Sequence, residues 1–121
     1  MTEITRTFDL LDHLVENFPK DDILAGKVNG EWVKYSSHDY YKYAHYLAYG
    51  LCEVGLKEGD RVVTMSANCP EWNFIDMALA MSGIIHVPIY PTLSAVCQES
   101  LFWAFHRSSS DNQPRPYPTN P

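Results

Sequence analysis

Positive charge is scarce in this chain: 9 Lys and Arg stand against 15 Asp and Glu in 121 residues, a formal net charge of −6. No stretch concentrates what basic charge there is, which argues against a nucleic-acid surface or an anionic membrane patch. Cysteine is scarce too. Cys52, Cys69 and Cys97 are odd in number and far apart, so they form neither a disulfide framework nor a zinc-binding spacing, and they fit a reducing compartment. Long apolar runs are missing. The best candidate, Met77 to Val87, is broken by Ser82, Gly83 and His86, well short of the roughly 18 residues of a spanning helix. The opening residues lack the basic and apolar regions of a signal peptide, and a cytoplasmic location is the expectation.

Glycine is absent after Gly83, and four of the 8 prolines, Pro114, Pro116, Pro118 and Pro121, crowd into the end of the chain behind Ser108-Ser109-Ser110-Asp111-Asn112-Gln113. A segment so poor in apolar residues cannot offset its ordering entropy. The chain therefore divides into residues 1–94, which carry the patterned sequence, and residues 95–121, a divergent Ser/Pro-rich tail expected to be disordered.

The first part reads as an α/β succession. Phe8, Leu11, Leu14, Val15 and Phe18 recur at helical spacing, with Thr7 as the expected cap and Pro19 as the stop. Residues 23–28 and 31–35 flank Asn29-Gly30, a hairpin signal because both turn residues tolerate positive φ. Ser36-Ser37-His38-Asp39 opens a second helix, striped by Tyr40, Tyr43, Ala44, Leu47, Leu51 and Val54 and ended by Gly55. Arg61 to Ser66 is a strand. A helix follows from Pro70 and Glu71 to Ser82, with Trp72, Ile75, Ala78 and Leu79 expected on its inner side, and Ile84 to Ile89 is the next strand. Strand, helix and strand make a parallel βαβ unit, which needs helices on both faces. The crossover helix and the Tyr-rich helix are the expected covers. Two strands alone leave both sheet edges unpaired, so the unit reads as the start of a larger layer. Residues 95–105 allow a short helix of poor pattern.

Three segments in this order carry a resemblance: Gly59-Asp60-Arg61-Val62-Val63, Asn68-Cys69-Pro70-Glu71-Trp72, and Gly83 through Val87-Pro88-Ile89-Tyr90-Pro91-Thr92-Leu93-Ser94. Together they resemble the N-terminal region of AMP-forming long-chain fatty acid–CoA ligases, members of the adenylate-forming superfamily, over roughly Phe8 to Ser94. The resemblance implies an incomplete N-terminal part of that fold: helix, hairpin, helix and parallel βαβ. It implies a two-step reaction in which a fatty acid carboxylate attacks the α-phosphate of ATP, releasing pyrophosphate, and the CoA thiol then displaces AMP, with Mg²⁺ accompanying the nucleotide. The first step needs donors around the phosphates, a metal and a cation aimed at developing charge. In the family those come from a Ser/Thr/Gly-rich phosphate loop, a Tyr/Phe-Gly-x-Thr-Glu segment, a ribose-binding Asp and a late Lys, all downstream of the matched region. No catalytic, cofactor-binding or metal residue is therefore carried over, and the chain alone is expected to be inactive. Because resemblance and composition change together after Ser94, a frameshift, a truncated gene or a chimeric reading is expected. The alternatives are a stand-alone non-catalytic interaction domain, or one piece of a split ligase complemented by a separately encoded remainder.

Residue patterns that invite a site have plainer explanations. Gly26-Lys27-Val28-Asn29-Gly30 lacks the preceding glycine and the following Ser/Thr of a phosphate loop and sits in a hairpin. His38 and His45, about two helical turns apart, are too distant to share one ion, and His13 and His106 are scattered. His86, in a buried-strand pattern, needs a partner, and a hydrogen-bonded core histidine is favoured over a catalytic base. Tyr35, Tyr40, Tyr41, Tyr43, Tyr46 and Tyr49 invite a stacking platform, yet without neighbouring basic residues they read as rings packed on neighbours with hydroxyls in water. Cys52 and Cys69 read as small core residues, and Met65, Met77 and Met81 as packing.

Overall fold

The computed structural model describes residues 3–106. The elements in chain order are α1 (Asp9–Asn17), β1 (Leu24–Val28), β2 (Glu31–Tyr35), α2 (Ser37–Glu53), β3 (Arg61–Met65), α3 (Pro70–Met81), β4 (Ile85–Ile89) and α4 (Ala95–His106). The α/β succession expected from the pattern is present, and α4 occupies the stretch where only a weak helix was expected. The disorder expected of residues 95–121 does not hold for residues 95–106, which form α4, and residues 107–121 lie outside the described residues.

Helix α1 starts differently from expectation. Phe8 is the N-cap residue and Thr7 supplies no cap. The start is instead tied by Asp9, whose carboxylate accepts hydrogen bonds from the backbone N–H groups of Thr5 (3.1 Å) and Arg6 (2.9 Å) and from the Arg6 guanidinium (2.9 Å). Arg6 beside it, helped by the two N–H groups, holds its pKa down at about 2. Asp9 is only 5% exposed because its own turn wraps it, not because it lies deep in the core.

The hairpin forms as the Asn-Gly pair dictates. Strands β1 and β2 are antiparallel with Val28 opposite Glu31, so the turn is the two residues Asn29 (φ 51°) and Gly30 (φ 85°). Helix α2 opens on a full capping box: the Asp39 N–H donates to Ser36 Oγ at 3.0 Å and the Ser36 N–H donates back to the Asp39 carboxylate at 2.9 Å. Ser37, fully buried, does a different job. Its backbone N–H donates to the Lys20 carbonyl (2.8 Å) while its Oγ accepts from the Lys20 N–H (2.9 Å), strapping the segment after α1 to the head of α2.

Strands β3 and β4 are parallel, with Arg61 opposite Ile85 and Met65 opposite Ile89, and α3 is the crossover between them. Helices α2 and α3 end alike: Leu56 N–H reaches back to Leu51 O and Ile84 N–H to Leu79 O, each across a glycine of positive φ. Gly83 (φ 67°) also accepts from the Gly59 N–H through its carbonyl at 2.9 Å, which fixes the loop before β3 to the entry of β4.

Leu11, Ala44, Phe74, Ala78, Leu79 and Ile84 are buried where α3 meets α2 and the strands, while Val87 and Ile89, which alternate with His86 along β4, are buried on the other face of the parallel sheet. Phe74 is the inward aromatic of α3, while Trp72 and Ile75 are only half-buried, a correction to the expected inner side. Helix α3 is apolar nearly all round, so spacing alone does not orient it. The Tyr-rich α2 packs mainly on α3 rather than covering the parallel sheet, and α4 approaches β3 instead.

Candidate functional site

Three elements of the βαβ unit converge on His86. The β4 imidazole sits with Nδ1 at 2.7 Å from Asp76 Oδ1 of α3 and Nε2 at 2.6 Å from Thr64 Oγ1 of β3. A carboxylate only accepts, so Nδ1 carries the proton and donates; in the neutral ring Nε2 then accepts from the Thr64 hydroxyl. The His86 side chain is 9% exposed, that of Asp76 43%. The Trp72 ring lies against the imidazole at 5.3 Å between centroids. Thr64 and His86 share a face because side chains alternate along each strand, and that face looks at α3.

Hydroxyl, imidazole and carboxylate stand in the order of a nucleophile, a base and its orienter. Here each is bonded to the next, and the imidazole is wedged between crossover helix and sheet. The arrangement satisfies a buried imidazole and clamps α3 onto both strands, the bonded core histidine that the sequence favoured. Asp76, ten residues before His86, is the partner that the linear pattern did not reveal.

The remaining candidates scatter. In the glycine-lysine segment a Cβ on Gly26 would meet Pro70 Cδ at 2.9 Å, so Gly26 is there to let β1 pack on the first turn of α3. His13 contacts Asn17 and Phe18, His38 is exposed, and His45 donates from Nδ1 to the Tyr41 carbonyl at 2.8 Å. The His106 side chain lies outside the described residues.

The tyrosines split. Tyr35, Tyr40 and Tyr43 ring Phe74 at centroid distances of 5.3, 5.7 and 5.3 Å, and Tyr40 donates to the Asn73 carbonyl at 3.4 Å. Burial pushes the Tyr35 and Tyr40 phenols up, helped by Glu71 and Asp76 respectively. Tyr46 and Tyr49 stay 60% and 67% exposed, against the packing expected of them.

Two further expectations are corrected. Cys52 is exposed on a cleft wall rather than in the core, and Cys69 is half-buried. Met65 is 55% exposed because it and Ile85 occupy open corners of the sheet face opposite α3. Among the described residues no three His, Cys, Asp or Glu side chains gather to hold a metal ion, and no helix is long and apolar enough to cross a membrane.

Residues 11–101 match the model of the family described as AMP-binding enzyme. The long-chain-fatty-acid–CoA ligase FadD15 of Mycobacterium bovis is 34% identical over 83 residues, a match covering 69% of this chain and 13% of that protein. The chain thus spans a small fraction of the curated relatives it matches. Among solved structures, CmiS6 superposes with a TM-score of 0.75 at 18% identity, over 87% of this chain and 26% of that one. The N-terminal subdomain of Klebsiella oxytoca NpsA gives 0.69 at 19%, over 84% and 26%. These likenesses establish the fold. The family match runs beyond Ser94 into α4. The fold is that of the N-terminal part of adenylate-forming enzymes, and the chain belongs to the AMP-binding enzyme family.

Proposed function

We propose that these residues are scaffold for ATP-dependent fatty acid activation, the opening segment of a long-chain acyl-CoA ligase fold that holds no reacting group of its own. The family match over residues 11–101, together with the M. bovis ligase at 34% identity, carries the reading. In such a ligase a fatty acid carboxylate displaces pyrophosphate from ATP, and CoA then displaces AMP from the acyl-adenylate. The contribution assigned to this segment is mechanical. Its βαβ unit, pinned through Thr64, His86 and Asp76, presents two open parallel strands on which further strands extend the sheet. The Mg²⁺ implied by the chemistry finds no set of carboxylates or imidazoles among the described residues, and His86 already has both nitrogens engaged.

A chimera tests the proposal. The matching N-terminal segment of the M. bovis ligase is replaced by residues 11–101 of this chain, and palmitoyl-CoA formation is measured. Retained synthesis supports the scaffold role; a soluble, folded chimera without synthesis contradicts it.

A further inference from the structure

A concave cleft of about 350 Å³ opens between α1, α2 and the end of α3, away from the His86 array. Its apolar walls are Phe8, Ala48, Tyr49 and Met81, and its polar groups are Asp12, His45, Cys52 and Ser82. The volume falls at the small end of ligand sites, about 300–1,000 Å³, and suits one ring with a short side chain.

The polar groups share a character that selects the ligand. Asp12 makes no hydrogen bond or ion pair with the other described residues, and an ionised carboxylate only accepts. His45 has its proton committed: Nδ1 donates to the Tyr41 carbonyl at 2.8 Å, so in the neutral ring Nε2 is a free acceptor. Ser82, also on the wall, donates its hydroxyl to the Ala78 carbonyl at 2.9 Å, leaving lone pairs. Nearby cations are engaged elsewhere. Arg6 pairs with Asp9 and lies over the Phe8 ring, while Lys42 lies near the Tyr43 and Tyr46 rings. Three acceptors in a mostly apolar pocket, in a chain of net charge −6, call for a donor-rich cation with an apolar body. The exposed Tyr49 ring adds a face that favours a cation further.

We infer that this cleft binds a small arylalkyl ammonium compound, its ammonium on Asp12 and His45 Nε2 and its ring against Phe8, Tyr49 and Met81. The inference is independent of the acyl-activation reading, since it uses none of the family's reactants.

Cys52 on the wall and Cys97 outside it, both exposed, supply a built-in reporter and control. The chain is alkylated with iodoacetamide while 2-phenylethylammonium is titrated, and each cysteine is followed by peptide mass spectrometry. Saturable slowing at Cys52, with Cys97 unchanged, is expected. Neutral 2-phenylethanol and anionic 3-phenylpropionate should protect at least about tenfold less well at equal concentration, as loss of a charge-assisted contact requires. Asp12→Asn, checked for unchanged circular dichroism, should weaken protection by a similar factor; the probe series in the unaltered chain stands whether or not that variant folds. Absence of protection, equal protection by all three probes, or parallel slowing at Cys97 overturns the inference.

Discussion

His86 Nδ1 and Asp76 Oδ1 stand 2.7 Å apart, tying the last strand of the parallel pair to the helix that crosses over to it, while Thr64 ties the other strand through the same ring. One imidazole, carried by β4, thus bonds to both other members of the βαβ unit. That accounts for a histidine in a strand otherwise rich in branched apolar residues. The array suits a scaffold: both imidazole nitrogens are spent on neighbouring elements of the same unit.

His86→Ala removes both bonds and leaves a void beneath Trp72. A loss of about 2–4 kcal/mol is expected, read as a lower urea midpoint at unchanged slope. Asp76→Asn keeps an oxygen to accept the Nδ1 proton, and Asp76 is 43% exposed, so about 1 kcal/mol or less is expected. Equal losses from the two variants would contradict the bonding order.

Phe74→Ala should be among the costliest single changes, about 3–5 kcal/mol, because it empties the centre of the Tyr35, Tyr40 and Tyr43 ring cluster. Tyr46→Ala and Tyr49→Ala, on exposed side chains, should each stay within about 0.5 kcal/mol. The same denaturation experiment checks all three.

The contrast among these tyrosines shows how far the sequence reaches. Features fixed by neighbours in the chain were legible: the Asn29-Gly30 turn, the helix start at Ser36 to Asp39, the glycine-ended helices and the strand-helix-strand order. What depends on contacts across the fold was not. Phe74 faces inward on a helix whose apolar residues form no single stripe, Asp76 finds a histidine on another element, and Gly26 yields to Pro70. The Thr7 cap failed for a related reason. The first-turn N–H groups of Asp9, Leu10 and Leu11 find the backbone carbonyls of Arg6, Thr7 and Phe8, and Asp9 fastens that turn to Thr5 and Arg6, so no hydroxyl is called on.

Gly83→Ala meets two obstacles, a φ of 67° and a Cβ that would lie 2.8 Å from Glu58 Cγ. A loss of about 1–2 kcal/mol is expected from the backbone alone, with the contact adding to it. Glu58→Ala in the Gly83→Ala background should restore the steric part and leave the backbone part. Additive effects of the two substitutions would show that no such contact exists.

Asp9 gives the acid limb of stability a defined direction. Its folded pKa, about 2, lies below the ordinary value of 3.8, chiefly because of Arg6. The unfolded chain therefore binds the proton first; the stabilisation is present above about 3.8 and is lost as pH falls toward 2. Asp39, held down by the Ser36 N–H and hydroxyl, acts in the same direction. Carboxyl carbon NMR should titrate Asp9 near 2, and Arg6→Ala should move its midpoint upward.

The most direct test of the scaffold account uses the purified chain with ATP, Mg²⁺, CoA and palmitate, and measures AMP. The account predicts none above a blank without protein. AMP and palmitoyl-CoA formed in equal amounts, in proportion to the chain added, would contradict it and place reacting groups within these 121 residues.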